Sequence, residues 1–340
     1  MALTYLSGNR IQGLSSDTKP TTGLHFGTRF EETDTRKIYT WIPSSGVTTD
    51  GSYTVLKYTA TGAGNTFTPG GTFNIDYLIV GGGGGGGSSY GGGGGAGDYK
   101  TATSQQVTAQ SYGITIGAGG NSGAGTQFGG TGNGTGTVGG TTSFYGQNST
   151  GGGGGRTYHT SASNGASGGG GSLTNSGGNT PGNSTGATNG NHGNVGHGNG
   201  GYSGNGGGGG GGSGGGNNTN SSTSQPGGAG TANSITGTSL YYAAGGGGSR
   251  VGILSTATSA QGGSGIGGDG SEVDTTASGN PNSPTPNTGS GGGGGNGGDP
   301  TNGYPNSGAG ANGVVIIRFL TSNSYATSLS SAWTVRGTSN

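Results

Sequence analysis

Two stretches of this chain carry apolar residues almost without a break: Asp76-Tyr77-Leu78-Ile79-Val80 and Gly313-Val314-Val315-Ile316-Ile317-Arg318-Phe319. A strand covered on both faces reads this way, whereas a half-buried strand alternates. The pattern predicts that 76–80 and 314–319 pair in one sheet, with everything between them a single large insertion. Closing such a loop costs roughly 5 kcal/mol by the (3/2)RT ln n rule, which a well-packed sheet tolerates. Tyr53-Thr54-Val55-Leu56-Lys57-Tyr58-Thr59 and Gly71-Thr72-Phe73-Asn74-Ile75 alternate at period two and read as two half-buried strands, with Pro69-Gly70-Gly71 as a turn signal. Tyr112-Gly113-Ile114-Thr115-Ile116 reads as a further strand. Near the N-terminus, Gly27–Thr33 and Arg36–Ile42 flank Asp34-Thr35 and predict a hairpin whose Glu/Arg pairs lie across the strands.

Between the two apolar stretches the pattern gives way to glycine, in runs at 81–87, 91–95, 151–155, 168–171, 206–212, 245–248 and 291–295. Such runs make poor helix and poor strand, because each glycine loses more backbone entropy on ordering than any other residue. Two states are open to them: flexible linker, or polyglycine helices of the polyproline-II kind with three residues per turn. The second has no internal hydrogen bonds, so its backbone groups must be paired by neighbours, and only residues without Cβ let rods approach closely enough. Several runs of similar length, bracketed by the two apolar strands, favour a bundle. The fold class expected is therefore mainly β and irregular: a short N-terminal β-hairpin module, a sheet closed by strands near 76–80 and 314–319, and polyglycine-II helices between. The domains expected are an attachment module at 1–50, a glycine-rich domain at 51–320 and a tail at 321–340. The tail, with Leu329, Trp333 and Val335, is polar with sparse apolar anchors and is expected to dock onto a neighbour.

Composition narrows the function. Non-glycine apolar residues make up 24% and charged residues 6%, and eleven bases balance eleven acids. A neutral chain offers no counterion-releasing surface for nucleic acid. There is no cysteine, so neither a disulfide framework nor a thiolate zinc site is possible. No apolar stretch approaches the roughly 20 residues of a membrane helix, and the N-terminus lacks a charged start followed by an apolar core. Asp98 and Asp269 stand alone rather than in a calcium-binding repeat, and His192 and His197 lack a third ligand in sequence. No acid–base pair or nucleophile motif stands out, so no enzyme, metal or cofactor is expected. If glycine rods stack, the segments between them become loops on a rigid scaffold, where function concentrates. The binding candidates there are Arg156, Tyr158, His159, Tyr202, Tyr241, Tyr242 and Tyr304, with Arg250–Leu254. Tyrosine amid Asn, Ser and Gly is the composition of antibody-like binding loops. Each such tyrosine has a plainer use as a cap on a rod end. Attachment falls to the hairpin residues Phe30, Glu31, Glu32, Asp34, Arg36, Tyr39 and Trp41.

The order of landmarks also carries a resemblance: Asp76–Val80 running into glycine, Gly91–Gly95 with Ala96-Gly97, Ile114-Thr115-Ile116-Gly117-Ala118-Gly119-Gly120, repeated glycine runs, then Gly313–Phe319. Over about residues 50–320 it resembles the glycine-rich domain of tailed-phage fibre and adhesin proteins. The segment from Gly27 to Tyr39 resembles one common in virion proteins of marine phages. The resemblance implies a polyglycine-II sandwich whose distal loops recognise a host-cell receptor, on the surface of an extracellular particle. Its partners would be other virion proteins, that receptor and further copies of itself. A capsid-decorating or appendage protein is the alternative, and ice binding by a flat rod face a third reading.

Overall fold

The computed structural model describes residues 4–6, 10–19, 29–42, 46–125, 134–157, 162–171, 209, 226–251, 260–274, 277–278, 283–295, 306–323, 325–327 and 332–338. In chain order the strands are β1 (Thr4–Leu6), β2 (Arg10–Gly13), β3 (Arg29–Glu32), β4 (Lys37–Ile42), β5 (Val47–Asp50), β6 (Tyr53–Tyr58), β7 (Gly62–Pro69), β8 (Phe73–Val80), β9 (Tyr99–Val107) and β10 (Tyr112–Ile116). They continue with β11 (Thr142–Phe144), β12 (Gln147–Ser149), β13 (Thr231–Asn233), β14 (Leu240–Tyr242), β15 (Arg250–Val251), β16 (Glu272–Asp274), β17 (Ala277–Ser278), β18 (Val314–Leu320), β19 (Tyr325–Thr327) and β20 (Ala332–Thr338).

The two apolar stretches pair as their pattern predicts: β18 runs antiparallel to β8, with Val314 opposite Val80 and Arg318 opposite Asp76. They sit inside an open five-stranded sheet ordered β5-β6-β18-β8-β9. Among the described residues none of the sheets closes on itself, so the expected closure is a strand pairing and not a barrel. A second sheet, β12-β11-β10-β7-β19, faces the first, and between them Leu56, Phe67, Ile75, Tyr77, Ile79, Ile114, Ile116, Phe144, Val315, Ile317 and Phe319 form one core. The alternate residues Val55, Leu78, Val80, Val314 and Ile316 point the other way, into a second core with Tyr99, Ile235, Tyr242 and Ala243. Period-two alternation split between two apolar surroundings is why β8 and β18 read as unbroken apolar runs. Two expectations change here. Residues 71–75 are no separate strand, since β8 runs unbroken from Phe73. β6 is covered on both faces, with Val55 and Leu56 both buried. β10 forms as read and lies in the second sheet, beside β7.

Beyond the strands the chain runs as extended glycine segments. Every N–H of 81–87 donates to a neighbour, and the neighbours recur with period three. Gly81, Gly84 and Gly87 donate to Asp98, Gly95 and Gly92; Gly82 and Gly85 to Gly140 and Thr137; Gly83 and Gly86 to Ala311 and Gly308. The carbonyls accept on the same period: Gly82 and Gly85 from Gly152 and Gly155, Gly83 and Gly86 from Gly120 and Gly123, Gly84 and Gly87 from Gly292 and Gly295. Six segments thus surround 81–87, three antiparallel that accept from it and three parallel that donate to it. Around the ring they follow as 91–98, 150–156, 134–140, 117–123, 307–312 and 289–295, and each adjacent pair exchanges backbone hydrogen bonds. This is how buried backbone with no sheet or helix meets its obligation to pair.

Glycine is required here by distance, not by backbone angle. A Cβ on Gly82, Gly84 or Gly86 would lie 2.1 Å from the carbonyl oxygen of Ala118, Gly153 or Gly293, and one on Gly87 would lie 1.9 Å from that of Arg156. The run 81–87 is buried throughout.

Walking the chain gives the domain two ends. β8 rises into 81–87, turns at Ser88-Ser89-Tyr90, and returns through 91–98 into β9; the β9–β10 turn lies at the opposite, basal end. Segments 117–123 and 134–140 repeat the excursion into β11, whose two-residue turn to β12 is again basal. Segments 81–87, 91–98, 117–123, 134–140, 150–156 and 307–312 thus each adjoin a strand below them.

The N-terminal hairpin forms as read, with Phe30 opposite Tyr39. It belongs to a five-stranded sheet, β1-β2-β3-β4-β20, completed by the far end of the chain. β20 pairs with β4, Trp333 opposite Trp41, so residues 332–338 dock onto this chain's own sheet and not on a neighbour. β5, within the expected 1–50 module, is an edge strand of the first large sheet.

Candidate functional site

The distal end of the glycine array is built from side chains that cap it. The Ser88 hydroxyl donates to the Ala124 carbonyl at 2.6 Å and Thr157 Oγ1 donates to the Ser88 carbonyl at 2.7 Å. The Ser307 hydroxyl donates to the Gly86 carbonyl and accepts from the Gly123 N–H at 2.6 Å, while Asn306 Oδ1 accepts from the Gly125 N–H at 2.7 Å. Small hydroxyl and amide side chains satisfy backbone groups where the neighbouring rods run out. They make the platform rigid.

On that platform sits Tyr90, which sequence reasoning missed. Ser89 and Tyr90 form the tip between two glycine runs with φ of 54° and 62°. A left-handed backbone costs an ordinary side chain about 1–2 kcal/mol, and a bulky residue there is a true outlier. Such strain persists at sites where the surrounding structure holds it. Tyr90 is half-buried, leaving part of its surface at the tip. The only sequence signal was a tyrosine placed where two adjoining runs of glycine would have supplied the favoured residue. Nearby, β15 pairs in parallel with β16, Arg250 opposite Glu272, and β16 with β17. These strands follow the distal ends of 243–249 and 267–271.

Arg156 ends its rod with its backbone in the array: the carbonyl accepts from Gly92 and the N–H donates to Gly170. The residue is 6% exposed, and its Nε and Nη1 are buried with no partner among the described residues. Burial alone lowers the guanidinium's pKa from its ordinary value. Buried guanidinium nitrogens left without hydrogen bonds cost stability.

Tyr241 and Tyr242 lie elsewhere. They are on β14, whose hairpin with β13 covers the outer face of the first large sheet, toward the basal end. Strand alternation separates them: Tyr241 is 49% exposed and Tyr242 only 2%. Tyr242 is a core residue, so its expected place in a binding loop does not hold. Its hydroxyl has no partner, and burial, with Tyr99 adding to it, pushes its pKa up to about 12. Tyr158, His159, Tyr202 and Tyr304 lie outside the described residues, as do Gly252-Ile253-Leu254.

The hairpin residues divide in the same way. Phe30 and Glu32 are buried, at 0% and 2%, while Asp34 and Arg36 are exposed. Glu31 meets Arg10 at 3.5 Å and Glu32 meets Lys19 at 2.8 Å, so both glutamates find cations upstream of the hairpin. Asp34 accepts from the Ser15 N–H at 2.8 Å and the Ser15 hydroxyl at 2.5 Å, and these bonds lower its pKa. Arg36 closes the turn at φ 59°, its N–H donating to the Glu32 carbonyl. Tyr39 and Trp41 are placed by register on β4, between β3 and β20.

Among the described residues no helix is long and apolar enough to cross a membrane, and no group of His, Cys, Asp or Glu could hold a metal ion. No curated protein matches the chain. The glycine segments, the strands that set them and the caps that end them all fall within residues 59–320, which match the family model described as a glycine-rich domain, and the chain belongs to that family.

Proposed function

We propose that this is a bacteriophage virion structural protein of the tail-fibre or adhesin type, in which the glycine segments form a polyglycine-II sandwich and the distal tips bind a host-cell receptor. The observation that carries the proposal is the arrangement around 81–87: period-three bonding to six neighbours makes a stiff platform, and it ends in a strained tyrosine. Period three with no internal bonds is the habit of a polyproline-II-like helix. Function on such scaffolds concentrates in the loops they hold. The N-terminal sheet, assembled from both ends of the chain, is the part we assign to other virion proteins, with further copies of the chain as partners.

The test is binding of fluorescently labelled protein to a panel of candidate host cells, comparing the parent with Tyr90→Gly and Tyr158→Ala. Tyr90→Gly removes the ring while relieving the left-handed backbone, so it leaves the fold intact. Saturable binding that these changes weaken supports the adhesin. Absence of binding to every strain overturns the receptor reading in favour of a capsid-decorating or appendage role.

A further inference from the structure

At the basal end, away from the tips, the β9–β10 turn and the β11–β12 turn enclose an open groove of about 530 Å³. That volume lies within the range of small-ligand sites, about 300–1,000 Å³. Its wall is aromatic: Tyr112 and Tyr145 stack with centroids 5.7 Å apart and planes at 28°. Both phenols are fixed by their hydroxyls. Tyr145 donates to the Gln106 carbonyl at 2.7 Å, and the Tyr112 hydroxyl accepts from the Thr108 N–H and from Gln110 Nε2, both at 3.1 Å.

Tyr145 is held there against its backbone preference. It and Gly146 form the two-residue turn with φ of 53° and 69°, a conformation in which Asn-Gly is the usual pair. The ring also packs on Tyr77 and Phe144, which offsets the strain but could be had from a residue in an easier turn position.

Around this wall the side-chain amide of Gln106, the hydroxyls of Thr108 and Ser111 and the carbonyl oxygen of Gln110 make no hydrogen bond to other described residues. No formally charged side chain lines the groove. A phosphate or carboxylate would find no cation there, and a wholly apolar ligand would leave these polar groups unpaired. A rigid aromatic face beside neutral groups that both donate and accept matches a sugar ring, which has C–H groups on its faces and vicinal hydroxyls at its rim. We infer that the groove is a binding site for an uncharged saccharide, independent of the tip site proposed above.

Ligand-observed saturation-transfer NMR on the full chain tests this with glucose, galactose, mannose, N-acetylglucosamine and lactose, and with glucuronate and N-acetylneuraminate as charged comparators. At least one neutral sugar is expected to show saturable transfer, with Kd on the order of 1 mM as suits an open site. Gln106→Ala, which removes an exposed and unengaged amide, is expected to weaken it by about tenfold. Tyr145→Asn, suited to the turn, is expected to abolish it with the parent's melting transition retained, while Tyr90→Gly leaves it unchanged. Absence of transfer from every neutral sugar, preference for the acidic ones, or transfer that survives both groove variants would overturn the inference.

Discussion

Gly84→Ala tests the claim that the glycines are required by distance. The new Cβ would sit 2.1 Å from the Gly153 oxygen, 2.5 Å from its carbonyl carbon and 2.9 Å from the Gly152 oxygen. Ordinary contact needs roughly 1 Å more, and the obstructing atoms are backbone held on every side. The rod must shift, which strains the bonds from Gly84 N–H to Gly95 and from Gly292 N–H to the Gly84 carbonyl, now 2.8 and 3.0 Å. Overpacking costs about 1–3 kcal/mol and each weakened bond up to about 1. Against this, alanine restricts the unfolded chain and returns about 0.4–1 kcal/mol. The net expectation is a loss of about 3 kcal/mol, or a melting temperature lower by about 6–12 °C for a domain of this size. Gly71→Ala is the control, since a Cβ there meets nothing within 4 Å; it should leave the melting temperature unchanged or slightly raise it. Thermal unfolding followed by circular dichroism reads both. If Gly84→Ala melts within a degree of the parent, the close-packed account of the rods is wrong.

Other consequences follow from single side chains. Arg156→Met removes a guanidinium whose Nε and Nη1 are buried without a partner among the described residues and should raise the melting temperature while weakening cell binding, a trade expected of a residue kept for function; calorimetry and the cell assay read the two separately. The raised pKa of Tyr242 means that the unfolded chain ionises first, from about pH 10, while the folded chain holds its proton to about pH 12. Its contribution is therefore fully present below pH 10 and lost as pH rises through that window, and Tyr242→Phe should blunt the alkaline loss of stability seen by urea titration at successive pH values. Glu32→Gln leaves Lys19 facing a neutral partner 2.8 Å away. It should destabilise the N-terminal sheet by about 1–3 kcal/mol, visible as faster amide exchange in β3 and β4.

What the sequence disclosed was what side chains mark. The pairing of 76–80 with 314–319 was legible because two apolar surroundings leave no polar position in either strand. The hairpin at 29–42 was legible from alternation and its turn. The merging of 73–75 into β8 and the burial of both faces of β6 were not, because Asn74 and Lys57 interrupt the apolar pattern while the β13–β14 hairpin, distant in sequence, covers one face. The hexagonal neighbourhood of 81–87 left no trace beyond glycine itself, since a period of three is invisible in a run without side chains. Tyr90 and Tyr145 both adopt left-handed backbone that their residue type disfavours, so local preference pointed away from the positions of greatest interest. The adjacent pair Tyr241-Tyr242 looked equivalent until strand geometry placed one outside and one inside.

The most direct test of the central claim is amide hydrogen exchange resolved along the glycine segments. If 81–87 lies fully bonded at the centre of six neighbours, its amides should exchange as slowly as those of β8 and β18, by several orders of magnitude below an open chain. Exchange of 81–87 at the rate of an unstructured glycine linker, with β8 and β18 still protected, would contradict it.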